Sequence, residues 1–346
     1  MTSFISRRNV LAGAVGASAA VSIAPLLTAT AAEFPSLAPS GALAKRAEKF
    51  LSSLDERRRK LATFTWNGSE WRSWNYFGGG GFIKPGLRLE QMTSTQKNAT
   101  WSLMEALLSP AGLVKARNVM LLQDILAAAG NGRGRRSSQR FSIAVFGVPG
   151  AKGAWGLRLE GHHLSLSFSV RDDQIVSVTP AAFAALPNRV MSGRHRGLTT
   201  LQGEETLARR LQSDLAPPVK AKAQISDRHL FNILSSAGRE RANARKVGVA
   251  AAAMTDGQRE LLWQLIDTYA VEPYVGALAA AQKASVRSGD TAAVHFAWYG
   301  PNTVERSFGY RVIGDNFVIE LGCIDDKAQH LHPVFHDLGN TLGRPT

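Results

Sequence analysis

The stretch AWGLRLEGHHLSLSFSV, residues 154–170, decides the fold class. Polar and apolar residues alternate along it, the period-two pattern of a strand with unlike faces. Taken as one extended strand, it puts Arg158, Glu160, His162, Leu164, Leu166 and Phe168 on one face. Leu159, Gly161, His163, Ser165, Ser167 and Ser169 then share the other. FSIAVFG at 141–147 and QIVSVTP at 174–180 extend the strand block, with Asp172-Asp173 as a turn. A second block comprises AAVHFAWYG (292–300), SFGYRVIG (307–314), NFVIELG (316–322) and QHLHPVF (329–335), with IGDN at 313–316 as a tight turn.

Elsewhere the apolar period is that of a helix. Leu43, Ala47, Phe50, Leu54 and Leu61 predict a helix from Gly41 to about Phe64. Thr93 with Gln96, and Thr255 with Gln258, have capping-box spacing. They start helices running to about Leu108 and, with a break at Pro273, to about Ala284. Further helices are expected from Pro110 to about Ala129 and over 204–215, with a weaker segment at 221–236. The order is helices, strands, helices, strands, which excludes a doubly wound parallel sheet. It predicts an α+β fold, an antiparallel sheet built from two distant blocks (140–179 and 292–335) and flanked by helices. No internal repeat of fixed period stands out. A single domain is expected over 45–340, after a flexible stretch at 33–44.

Residues 1–32 have the layout of an export signal. Arg7-Arg8 follows Ser6, an Ala/Gly-rich, mildly apolar stretch comes next, and Ala29-Thr30-Ala31-Ala32 forms a small-residue end. The motif SRRNVL fits the twin-arginine route, so the expected partner is that export machinery and the expected location is periplasmic or extracellular. No other apolar run is long enough to span a membrane. The lone Cys323 cannot form an internal disulfide. Loss of Arg7 and Arg8 lowers the net charge from +14 to +12. The basic residues are scattered, and the densest runs, ERRRK at 56–60 and GRGRRSSQR at 132–140, lack interleaved aromatics. That pattern excludes a single-stranded nucleic-acid binder and reads as solvated surface, with attraction of an anionic small-molecule substrate as the second reading.

Five of the eight histidines fall within 160–170 and 329–337. His330 and His332 share a face if their segment is extended, a good half-site for a transition metal. In an unbroken strand only one of His162 and His163 can join them. Nitrogen and oxygen ligands do not choose among copper, zinc, iron and manganese. Glu160 shares the face of His162, and Glu320 lies in an apolar strand where a carboxylate needs a partner, for which Arg311 is the candidate. Asp337 is placed to orient an imidazole. There is no Gly-x-Ser-x-Gly elbow, His-Glu-x-x-His helix, dinucleotide fingerprint or Walker loop.

Together GAWGLRLEGHHLSLSFSV, FAWYG, YRVIGDNFVIEL, QHLHPVFHD and the helical MTSTQKNATWSLMEALLSPAGLVKARNVMLLQDIL resemble the family catalogued as domain of unknown function 3500, over about residues 45–340. Its members occur in exported bacterial and fungal proteins. The resemblance carries over His162, His163, His330, His332, Arg311, Glu320 and Asp337 as matching positions. The chain departs at His336, where the family usually has arginine, and at Gln329, where it usually has asparagine. The family implies no established reaction. The expectation is an exported metal-dependent enzyme, hydrolytic or redox. In it the four histidines supply ligands, Glu160 or Glu320 acts as a further ligand or base, and Arg311 holds an anionic substrate. The alternatives are a metal-free binding protein, engaging a sugar or acidic polymer through Trp66, Trp71, Trp74, Tyr76 and Phe77, and a structural envelope protein.

Overall fold

The computed structural model describes residues 37–77, 84–132 and 135–343. The export signal expected over residues 1–32 and the glycine run at 78–81 lie outside them. The first half carries strands β1 (Ala38–Pro39), β2 (Thr63–Phe64), β3 (Leu87–Arg88), β4 (Ser142–Phe146), β5 (Ala154–Gly161), β6 (Leu164–Arg171), β7 (Gln174–Ser177) and β8 (Ala181–Phe183). Its helices are α1 (Ala42–Ser52), α2 (Glu56–Ala62), α3 (Ser69–Arg72), α4 (Ser94–Glu105) and α5 (Pro110–Ala128). The second half carries α6 (Gln202–Asp214), α7 (Pro217–Ala223), α8 (Asp256–Ala270) and α9 (Gly276–Val286). Its strands are β9 (Gln224–Ser226), β10 (Val249–Ala250), β11 (His295–Tyr299), β12 (Gly309–Ile313), β13 (Phe317–Cys323) and β14 (Leu331–Asp337). The α+β class is as expected. One largely antiparallel sheet runs β10–β11–β12–β13–β14–β8–β6–β5–β4–β2, so the two distant blocks do form one sheet.

Three local expectations change. The helix expected over 41–64 is two helices, because Asp55 caps α2 by accepting from Arg58 N at 2.8 Å. The segment at 221–236 ends its helix at Ala223 and is irregular from 227 to 248. The stretch 154–170 is a hairpin, with His162-His163 as its two-residue turn. This turn changes the parity of everything after it. Glu160 pairs with Ser165 and Arg158 with Ser167, while Leu159 pairs with Leu166. Gly161 is required there because a Cβ would collide with the ring of Phe141.

The halves repeat each other, contrary to the sequence reading. Pairs Ala144↔Arg158 and Leu157↔Phe168 recur as Ala297↔Arg311 and Tyr310↔Leu321, an offset of 153 residues. The parallel pair Thr63↔Val145 recurs as Gln224↔Trp298, and Leu87↔Ile143 recurs as Val249↔Phe296. Both capping boxes form, and each glutamine ties down the end of an earlier helix: Gln96 Nε2 to Ser53 O at 2.8 Å, Gln258 Nε2 to Asp214 O at 2.7 Å. Gly86 and Gly248 match too, both at positive φ (113° and 90°), each pressed against the carbonyl of its half's central strand. The halves meet where Phe335 pairs with Ala181. Those two residues are equivalents, since Ala181 lies opposite Leu166 as Phe335 lies opposite Ile319. The sheet therefore has an approximate two-fold axis through the β8–β14 contact.

Helices cover one face of the sheet and bury the larger apolar core. Residues 64–77 and the irregular segment after β9 cover the other. There Trp71, Trp74 and Tyr76 pack with Phe146, Ala184 and Val334. Trp71, Trp74 and Tyr76 of the aromatic segment are thus core, at 0%, 2% and 1% exposure, while Trp66 and Phe77 are half-buried.

Candidate metal centre

The histidines meet near the junction of the halves. His163 lies in the hairpin turn at φ 72°. Its N–H donates to Tyr76 O at 2.8 Å and its carbonyl accepts from Ala184 N at 2.7 Å. The next residue, Ala185, pairs both ways with Leu331 at 3.0 Å. Leu331 therefore turns inward to the core while its neighbours His330 and His332 turn to the opposite face. The short run Ala184–Ala185 thus fixes His163 and the His-x-His pair against each other.

Three imidazole nitrogens converge. His330 Nε2 lies 3.0 Å from His163 Nε2 and 3.0 Å from His332 Nε2. All three ligand atoms fit within 4.8 Å of one another. His332 Nδ1 lies 3.1 Å from Asn232 Oδ1, which also accepts from Tyr76 Oη at 3.1 Å. An amide oxygen only accepts, so Nδ1 of His332 carries the proton and its Nε2 presents a lone pair. A neutral ring nitrogen has a single in-plane position, holding either a hydrogen or a lone pair. His330 Nε2 can therefore serve only one of its two partners at 3.0 Å. Protonation does not relieve this, because burial pushes His332 down to about 3, His163 well below the usual range and His330 in the same direction. One cation satisfies all three lone pairs. At metal–nitrogen distances of about 2.0–2.1 Å, two bound imidazole nitrogens stand roughly 3.0–3.4 Å apart. The residues present fit a transition metal.

His162 does not belong to this group. Its ring packs against that of His163 at a tilt of 40° with centroids 3.9 Å apart, and its Nδ1 lies 2.9 Å from Arg136 Nη1 and 2.9 Å from Gln123 Oε1. Glu160 Oε1 accepts from Asn75 N at 2.7 Å and Ser165 Oγ at 3.0 Å, while its buried Oε2 has no partner among the described residues. Glu320 and Arg311 pair with each other at 2.6 Å, as expected for a buried carboxylate. The other oxygen of Glu320 accepts from Leu234 N, Ser235 N and Ser235 Oγ at 2.6–2.9 Å. Arg311 also donates to Asn243 O, so its guanidinium is committed to the fold. Asp337 accepts from Ser285 Oγ and Gly339 N, both at 3.0 Å, and orients no imidazole. His336 is fully buried and donates to Ser235 O at 2.9 Å, away from the cluster.

The repeat supplies an internal control. Asn316 stands in the second hairpin where His163 stands in the first, since Gly314 and Phe317 flank that turn as Gly161 and Leu164 flank this one. Ser177 faces Ser169 where His332 faces Gly322. The second turn has no residue at positive φ, whereas the first holds His163 there. The scaffold is therefore built without these histidines on one side. Neither Asn232 nor Tyr76 was legible as a site residue, because Asn232 lies in an irregular segment and Tyr76 in an aromatic run that looks like packing.

An α+β protein of two like halves with one buried three-histidine cluster is the class that the fold and site define. Over residues 37–343 the chain matches the model of a family described as protein of unknown function (DUF3500), and it belongs to that family. Comparison with curated proteins and with solved structures gives no match.

Proposed function

We propose that His163, His330 and His332 hold one transition-metal ion, and that the chain is an exported metal-dependent enzyme. The observation that carries the reading is the double contact of His330 Nε2, 3.0 Å from each of two other imidazole nitrogens. Three protein ligands leave a coordination position open, the arrangement of catalytic rather than structural sites. A bound ion would polarise a substrate oxygen or activate a water there, or carry electrons if it is redox-active. His330, the partly exposed member, marks the side from which substrate arrives. Asn232 fixes the tautomer of His332. The base role falls to Glu160, whose Oε2 is uncommitted, in preference to Glu320, whose two oxygens are engaged.

Metal analysis of protein purified through its native export route tests the reading. About one equivalent is expected in the wild type, and none in a His330→Ala/His332→Ala variant. Wild-type protein that takes up no copper, zinc, iron or manganese on loading would overturn it. Export is tested separately: Arg7→Lys/Arg8→Lys should hold the protein in the cytoplasm, and unchanged export would refute the twin-arginine route.

A further inference from the structure

We propose that a cavity beside the histidine cluster binds the oxyanion group, a carboxylate, sulfate or phosphate, of a small organic substrate. The substrate role rests on the metal-centre reading, but the binding itself does not. The cavity measures about 220 Å³ and is lined by Lys84, Arg88, Arg135, Arg136 and Arg140, with His162 on the cluster side. Among the described residues no carboxylate lines it. Arg88 and Arg140 approach Glu90 at 3.3 and 3.9 Å. Among the described residues Lys84, Arg135 and Arg136 have no carboxylate within ion-pair distance. Their own contacts are neutral: Lys84 on Asn75 O and Oδ1, Arg136 on Gln123 Oε1 at 2.9 Å. Five clustered cations in a partly desolvated hollow, with Glu90 at contact distance of two of them and Glu160 acting on Lys84 from farther off, repel each other, and a bound anion offsets that repulsion.

The second half shows what satisfies the equivalent lysine. Lys246 stands two residues before Gly248 as Lys84 stands two before Gly86. Its Nζ meets Asp315 Oδ1 at 2.6 Å, and Asp315 occupies the turn position that His162 takes in the first half. One half thus carries a built-in carboxylate, and the other has an imidazole in its place. Phe77 and Phe141 add apolar wall for an organic body. The volume is below the roughly 300–1,000 Å³ of pockets for drug-sized ligands, so the ligand is small or is one unit of a larger one. Arg136 touches His162, and His162 packs against His163, so a bound acid group sits one imidazole away from the cluster.

The test is calorimetric titration of the metal-loaded protein with benzoate, phenyl sulfate and phenyl phosphate, with benzamide as the neutral control. At least one anion should bind about tenfold tighter than benzamide, and weaken as salt rises. Arg136→Gln and Lys84→Gln should each cost at least about tenfold, the loss of one charge-assisted hydrogen bond. Arg135→Glu, a change on an exposed residue that leaves the core alone, should weaken binding as well. His330→Ala/His332→Ala should lose metal yet keep anion binding, so failure of the metal reading is read separately. Equal binding of benzamide and all three anions would overturn the proposal, as would unchanged anion affinity in folded Arg136→Gln and Arg135→Glu proteins.

Discussion

His163 is held at φ 72°, a region where a β-branched side chain is a severe outlier and asparagine is tolerated. Replacement by asparagine should therefore keep the hairpin and remove a ligand, whereas valine should cost about 1–2 kcal/mol more in stability as well. Urea unfolding of the metal-free variants separates the two effects, and metal stoichiometry should fall in both. Asn232 offers a second check at this scale. Asn232→Ala leaves His332 Nδ1 and Tyr76 Oη without their shared acceptor. Metal affinity, measured by competition with a chelator, should drop about 10–100-fold. An unchanged affinity would mean that Asn232 does not set the tautomer. His330 and His332 were legible because alternation on one strand is a short-range rule. The choice between His162 and His163 was not. A His-His turn carries none of the turn signal that the aspartates of Asp172-Asp173 supply, residues that tolerate the positive φ both adopt there.

At the scale of elements, the irregular segment that carries Asn232 has no helix or strand of its own between Ser226 and Val249. Glu320 of β13 holds it by accepting from Leu234 N and from both Ser235 donors. Arg158 of β5 does the same for the aromatic segment of the first half, donating to Glu70 O at 2.9 Å and to Trp71 O. Arg158 and Arg311 are repeat equivalents, and each also meets the residue opposite it on the next strand, Ser167 or Glu320. Glu320→Ala would strand a buried arginine cation and release the loop. A loss of about 3–5 kcal/mol in urea unfolding is expected. Glu320→Leu combined with Arg311→Met should recover much of it, because no uncompensated charge remains, while metal affinity should stay low because the loop is still unpinned. Recovery of both would show that the ion pair does not position Asn232. The sequence pointed to the Arg311–Glu320 pairing, because an acid in an apolar strand demands a partner. It did not show what the pair holds, since the loop partners are backbone groups without a residue signature.

For the whole molecule, the strand blocks and the α+β class follow from periodicity, but the two-fold repeat does not. Its offset is 162 residues through the capping boxes and 153 through the hairpins, so no fixed period exists to be found. The traces that remain are MTSTQ against MTDGQ and GLRLEG against GYRVIG. The join between halves is the three-residue β8, too short to carry a pattern. That join explains a global property. Position 336 lies next to the axis, and its repeat equivalent beside Ala181 is the small Ala182. Burial pushes His336 down to about 3, against about 6.5 in an unfolded chain. Between those values the unfolded chain binds a proton that the native protein refuses. The stability contributed is therefore complete above about pH 6.5 and is lost as pH falls toward 3, by up to about 1.4 kcal/mol per pH unit. His162 and His332, also held at about 3, act with the same sign. His336→Gln keeps a donor for Ser235 O and removes one of these titrations. Urea midpoints of wild type and variant, taken from pH 7 to pH 4, should converge as pH falls, with the variant losing one proton's worth less of slope. Parallel curves would mean that His336 is accommodated as a cation, and that the acid sensitivity of the fold resides in the other histidines.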